Sequence, residues 1–180
     1  MNKLSGWKLT VVRVLVILSV VALTVFLFLN RDRVKELEAM GYPGVFLISL
    51  LSNATLILPV PGVLFTSAMG AVFNPYLVAL AAGSGATLGE ITGYMAGFSG
   101  QGVIENRKWY DKVTAWMKNY GGITVLVLAF IPNPVFDIAG MVAGALRMPI
   151  WKYLIFSWIG KVGKMLVFAL SGAQIFAWFS

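Results

Sequence analysis

The stretch Phe130-Ile-Pro-Asn-Pro-Val-Phe-Asp-Ile-Ala-Gly-Met-Val-Ala-Gly144 sets two prolines, an asparagine and an aspartate inside an apolar region. Proline lacks a backbone N–H and its ring clashes with the preceding turn, so a continuous helix through Pro132 and Pro134 is not expected. The surroundings make the break significant. Hydrophobic residues form 59% of the chain, charged ones 12%, and mean hydropathy is +0.84. Soluble domains are roughly half apolar and a quarter charged, so this composition predicts one integral membrane domain over residues 1–180. In lipid, a broken backbone needs partners within protein or a wet cavity, and a carboxylate such as Asp137 marks a functional site by default.

Composition also removes whole classes of chemistry. The chain has no histidine and no cysteine. Zinc sites, haem ligation through those residues, thiol catalysis and Ser-His-Asp chemistry therefore have no basis, and neither a metal nor a cofactor is expected. The net charge of +7 sits on residues that flank apolar segments, which fits membrane orientation and anionic headgroups rather than nucleic acid.

Read in order, the chain starts with an apolar run behind Lys3, Lys8 and Arg13. Residues 10–30 are expected to form a retained anchor helix, because Asn30-Arg-Asp-Arg33 follows instead of a cleavage site. Residues 30–43 read as a short interfacial helix or a solvated loop. The run from Val45 to Phe73 is interrupted by Pro59-Val-Pro61-Gly62, leaving arms of about 14 and 11 residues, too short to span a membrane at ~20 residues per crossing. Pro61-Gly62 suits a reversal, so a re-entrant hairpin is expected. Asn74-Pro75 starts a new helix. Tyr76 to Phe98 is long enough to span, and Gly85, Gly89, Gly93 and Gly97 put four glycines on one face for close backbone packing. Residues 103–120 are expected to form a basic amphipathic helix on the membrane surface, with Trp109, Val113, Trp116, Met117 and Tyr120 at helical spacing. A second broken hairpin and a last spanning helix, Ile150 to Phe179, complete the chain.

A shift of 74 residues brings Ile57 onto Ile131, Gly70-Ala71 onto Gly144-Ala145, Pro75 onto Pro149, Leu80 onto Leu154 and Gly89 onto Gly163. Residues 44–98 and 121–179 are thus two repeats, each a hairpin plus a spanning helix. Hairpins return to the side they enter and spans do not, so the repeats must be inverted. The expected fold is all-α integral membrane, with three spanning helices and two oppositely oriented re-entrant hairpins. Basic residues put the N-terminus in the cytoplasm and the C-terminus outside, in a plasma (inner) membrane.

Depth estimates follow from a helical rise of ~1.5 Å per residue. Glu90 and Lys164 each lie 15 positions past a helix-starting proline, roughly 22 Å in from opposite faces, which argues against their pairing. Asp137 falls near the midplane, where Lys161 is the better-placed partner. The expected pathway residues are Asp137, Glu90, Lys161, Lys164 and Asn133, between tips formed by Pro59, Pro61, Gly62, Pro132 and Pro134. A static Asp137–Lys161 pair is the competing expectation.

Several of these residues carry a resemblance. Ala86-Thr-Leu-Gly89-Glu90, then Tyr94, Gly97 and Gly100, resembles the glycine-rich stretch of the DedA family, also called the VTT or SNARE-associated Golgi protein family. Phe130-Ile-Pro132, Ala143-Gly144 and Arg147-Met-Pro149 resemble its second hairpin, and Pro61-Gly62 its first turn, so the likeness covers roughly residues 40–175. It implies two opposed re-entrant hairpins and the transport or scrambling of phospholipids or polyprenyl-phosphate lipids, in some branches linked to proton motive force. The chain departs from the pattern. The family's hairpin acids correspond here to Val63 and to Ser52 or Asn53, and its arginines to Ala129 and a position near Val135. Asp137 stands in for part of that set.

The leading functional expectation is a flippase- or scramblase-like lipid transporter, possessing no enzymatic activity. A proton-coupled small-solute or ion antiporter is the alternative, and a non-transport assembly or scaffold protein the third reading. Membrane lipids are the expected partners, with anionic headgroups at the cytoplasmic face; homo-oligomerisation is left open.

Overall fold

The computed structural model describes residues 38–54, 62–99, 107–132 and 135–178. The anchor helix expected at 10–30, the tip residues Pro59 and Pro61, and the pair Asn133 and Pro134 lie outside the described residues. Those described form helices and no strands: α1 Glu38–Ala54, α2 Gly62–Val72, α3 Pro75–Gly89, α4 Ile91–Phe98, α5 Arg107–Tyr120, α6 Gly122–Phe130, α7 Phe136–Ala145 and α8 Ile150–Trp178.

The helix boundaries follow local chemistry. Asn74 caps α3, its Oδ1 accepting from the backbone of Tyr76 at 3.0 Å and Leu77 at 3.4 Å, with Pro75 in the first turn where its missing N–H costs nothing. Ile131 is extended (φ −77°, ψ 129°), as a residue before proline must be, and this ends α6. Two boundaries differ from expectation. The first arm is longer than the apolar run predicts, because α1 begins at Glu38 and carries Pro43 inside it. That proline lies near the helix start, where it removes one early hydrogen bond and does not end the helix. The expected span Tyr76–Phe98 carries a one-residue irregularity at Glu90, which separates α3 from α4 but keeps right-handed helical geometry (φ −69°, ψ −9°) and its bonds to Ala86 and Tyr94.

Glycines fix the relative direction of α1 and α3: a Cβ on Gly85 would strike the Phe46 carbonyl, and one on Gly89 the Leu50 carbonyl. Both partners advance by four residues, so α1 and α3 run parallel. Phe73 and Asn74, at the start of α3, meet Tyr42 near the start of α1, with rings 5.6 Å apart and a 3.3 Å hydrogen bond from the Asn74 N–H to the Tyr42 hydroxyl. Helix α2 therefore runs antiparallel to α1, packing on α8 and α3 more than on α1. The second half repeats this: Gly122 faces Phe156 and Gly160 faces the Leu126 carbonyl, so α6 and α8 are also parallel and α7 returns.

Contacts between the halves exchange partners. Gly70 of α2 abuts Ala169 of α8, and Gly172 abuts Ser67. In the other half Gly144 of α7 abuts Tyr94 of α4, and Gly97 abuts Met141. Helix α2 thus packs on α8 of the second half, and α7 on α4 of the first. Only a two-fold relation maps this set of contacts onto itself. Its axis passes where equivalent residues touch: Trp158 Nε1 donates to Ser84 Oγ at 2.9 Å, and these two are 74 positions apart. The offset is 74 up to Gly89 and Gly163, then 75 for Tyr94 with Ala169 and Gly97 with Gly172. The repeat slips by one residue where α3 and α4 part, at Glu90.

The four-glycine face serves two neighbours. Gly85 and Gly89 admit α1, whereas Gly97 admits α7, and Gly93 has the loosest fit, with its nearest neighbour the Asp137 carbonyl at 4.0 Å. The basic helix α5 turns Val113 and Met117 inward to join Val125, Leu128 and Val142 in one core cluster, so it packs on α6 and α7 as well as presenting a charged face.

The molecule's polarity is inverted relative to a soluble protein. Leu47, Leu51, Leu77, Leu80, Ile155, Ile159, Val167 and Ile175 are exposed, while Glu90, Lys161, Thr66, Thr87 and Ser157 are buried. A water-soluble domain rarely shows so much contiguous apolar surface. Among the described residues one helix, Ile150–Trp178, is long and apolar enough to cross a membrane.

Candidate functional site

Lys161 lies on the middle of α8 and is 2% exposed. Its ammonium donates to Glu90 Oε1 at 2.6 Å and to Asn53 Oδ1 at 2.8 Å. It also stands 4.8 Å from the centre of the Phe136 ring, in cation–π range. Four elements converge here: α1 brings Asn53, the α3–α4 junction Glu90, α7 Phe136 and α8 the lysine.

Each side chain is fixed by its own element. Asn53 sits on the last turn of α1, and its Nδ2 donates to the Ser49 carbonyl at 2.8 Å, which settles which way the amide points. Glu90 occupies the single-residue break between α3 and α4, next to the Gly89 that lets α1 approach. Small residues therefore bring the asparagine and glutamate arms together, and the lysine spans the remaining gap with its flexible four-carbon stem. A buried ion pair in apolar surroundings offsets its desolvation only when further hydrogen bonds satisfy it, and Asn53 supplies one.

Hydroxyls extend this polar centre. Ser49 Oγ, Ser157 Oγ and the Tyr153 hydroxyl are buried and have no protein hydrogen-bond partner. Tyr153, Ser157 and Lys161 recur every four residues, so they line one face of α8. Tyr153 stacks on Tyr94 at 5.3 Å, and the Tyr94 hydroxyl donates to the Met148 carbonyl at 2.6 Å. Buried hydroxyls rarely stay unpaired, so this face suits water or a polar guest.

The expected partnership of Asp137 with Lys161 is corrected by this geometry: Lys161 is taken by Glu90 and Asn53. Asp137, in the first turn of α7, is exposed and makes no ion pair with either lysine. Lys161 and Lys164 still act on it electrostatically. Lys164, half-buried one turn beyond Lys161, does not pair directly with Glu90, as expected. The midplane estimate that set Lys161 with Asp137 left out the reach of the lysine stem, which carries its ammonium to Glu90. The structure thus unites Glu90 and Lys161, keeps Lys164 and Asp137 at the margin, and adds Asn53, Tyr153 and Ser157. Asn53 had one sequence signal, its place where the resemblance puts an acid.

An all-helical membrane protein with a buried ion pair between its halves is the class these features define. The VTT domain model matches residues 60–174. The chain is 30% identical over 145 residues to Inner membrane protein YqaA of Escherichia coli (strain K12), covering 78% of this chain and 97% of that protein. It is 32% identical over 91 residues to Vacuole membrane protein KMS2 of Arabidopsis thaliana, covering 48% of this chain and 21% of that protein. Over 51 residues it is 43% identical to Vacuole membrane protein 1 homolog of Dictyostelium discoideum, 28% of this chain and 13% of that one. No solved structure matches significantly. The chain belongs to the VTT-domain (DedA) family of membrane proteins.

Proposed function

We propose that this protein is a lipid transporter of flippase or scramblase type, moving a phospholipid or polyprenyl-phosphate lipid across the bilayer. The observation that carries this reading is the buried Lys161–Glu90–Asn53 centre, flanked by unpartnered hydroxyls and enclosed by two broken hairpins. An exposed apolar exterior keeps acyl chains in lipid while a polar seam between hairpin arms takes the headgroup. Lys161 and Lys164 supply positive charge for a phosphate. Glu90 holds Lys161 when no headgroup is present, so the pair is a latch that a phosphate competes to open. The hairpins are re-entrant and oppositely oriented, the N-terminus is cytoplasmic, and the membrane is the plasma (inner) membrane, a placement supported by the printed name of the E. coli relative. The protein acts without catalysing a covalent reaction.

Liposomes carrying the purified protein and a fluorescent phospholipid test this. Added dithionite should bleach the label in both leaflets with wild-type protein, and in one leaflet only with Lys161→Met/Glu90→Gln protein. One-leaflet bleaching by the wild type, with and without a proton gradient, would remove the lipid-transport reading. The buried Glu90–Lys161 pair also favours a second reading, proton-coupled antiport of a small solute or ion. Proton flux driven by a solute gradient without lipid movement would select it.

A further inference from the structure

At the base of the second hairpin a cleft of about 390 Å³ opens between the end of α5 and the starts of α6 and α8. Its lining includes Lys118, Gly121, Gly122, Met148, Pro149 and Lys152. We propose that this cleft is a docking site for the phosphate-bearing headgroup of an anionic lipid, loaded from the leaflet on that side before transfer toward Lys161.

Four independent features support the assignment. First, the charge is of one sign: two lysines line the cleft and no carboxylate does. Second, two helix starts open into it. Gly121, at the N-cap of α6, carries no side chain to cap that helix, and Pro149 precedes α8. Helix starts favour anions through their free N–H groups and the aligned peptide dipoles. The Gly121 φ of +54°, strained for any side chain, keeps this corner open. Third, basic and aromatic residues pair on and beside the elements that form the cleft. Lys112 lies 5.0 Å from both the Trp109 and Trp116 rings, Lys152 lies 5.4 Å from Trp151, and Arg147 lies 5.8 Å from Phe98. Tryptophan and basic residues together sit at headgroup level.

Fourth, the helix that borders the cleft also carries the buried centre. Pro149 lines it, and Tyr153, Ser157 and Lys161 follow on the same face of α8 at successive four-residue steps. Two of these carry the unpartnered hydroxyls described above. Pro149 thus lies about 18 Å along α8 from Lys161, at the opposite end of the face that carries the buried centre.

The proposal rests on the lipid reading, and a binding measurement separates the two. Full-length protein in detergent is titrated with dihexanoyl phosphatidic acid, a short-chain lipid that stays monomeric. Wild type should bind, and Lys118→Gln/Lys152→Gln should bind about thirtyfold more weakly, at ~1 kcal/mol for each lysine. Lys118→Arg/Lys152→Arg should bind like wild type, which excludes misfolding as the cause. Lys112→Gln, just outside the cleft, should bind like wild type. Equal weakening by Lys112→Gln, or wild-type binding by the double glutamine variant, would overturn the site. Inorganic phosphate displacing the lipid at equal concentration would overturn the lipid as occupant. Wild-type protein that binds the probe but moves no lipid in liposomes sinks the transport reading and leaves the cleft assigned.

Discussion

Glu90 and Lys161 stand 71 positions apart and join the two halves of the molecule through a 2.6 Å ion pair. The pair is nearly inaccessible, at 4% and 2% exposure, so each charge depends on the other. Removing one partner strands the second in apolar surroundings.

Lys161→Met should therefore destabilise the protein by about 3–5 kcal/mol, because Glu90 is left buried and uncompensated. Lys161→Met/Glu90→Gln should recover most of that loss, since apolar or neutral replacements of a buried pair are often close to neutral. Thermal unfolding in detergent reads both. A double variant no more stable than the single one would show that the ion pair is not what the lysine is retained for.

Asp137 makes the opposite prediction. It is exposed and outside the pair, so Asp137→Asn should change stability by no more than about 0.5 kcal/mol. If its carboxylate shapes the field that Lys164 and Lys161 present to an incoming phosphate, lipid movement in liposomes should fall even though the protein stays folded. Unchanged transport by Asp137→Asn would remove it from the pathway and leave Glu90 as the acid that matters.

Glycine crossings between the halves should be intolerant in matched fashion. A Cβ at Gly97 would meet the Met141 backbone, and one at Gly172 the Ser67 backbone. Neither obstacle is a side chain that can swing aside. Gly97→Leu and Gly172→Leu should each cost at least 1–3 kcal/mol, roughly the cost of overpacking a tight core. Gly44→Ala, with nothing within 4 Å of the added carbon, is the control and should unfold like wild type.

Much of the fold was legible because its determinants are local. Asn74-Pro75 announces a helix start through capping and fixed φ, and Pro149 announces another through its fixed φ. The repeat added the relation between halves, and Gly97 announced a close backbone contact. The partners were less legible. Nothing in the sequence around Gly97 says that its neighbour is Met141 of the opposite half. Lys161 was assigned to Asp137 because rise along a helix places backbones, whereas the reach of a lysine stem decides which carboxylate its ammonium meets. Ser157 and Tyr153 gave no signal, since a hydroxyl in an apolar helix is ordinary until burial deprives it of a partner. The cleft was hidden too, as three elements between residues 117 and 152 must meet to form it.

The exchange of arms has a temporal side. Ser67 of α2 donates at 2.8 Å to the Phe168 carbonyl, 101 residues further along the chain. During synthesis the first hairpin leaves the ribosome with its own α1 and α3 but without the surface that Ser67 and Gly70 close upon. That face waits for nearly all of the last helix. The first half cannot mature as an independent unit, and quality control of the nascent chain has a natural checkpoint: whether α8 has arrived to cover α2.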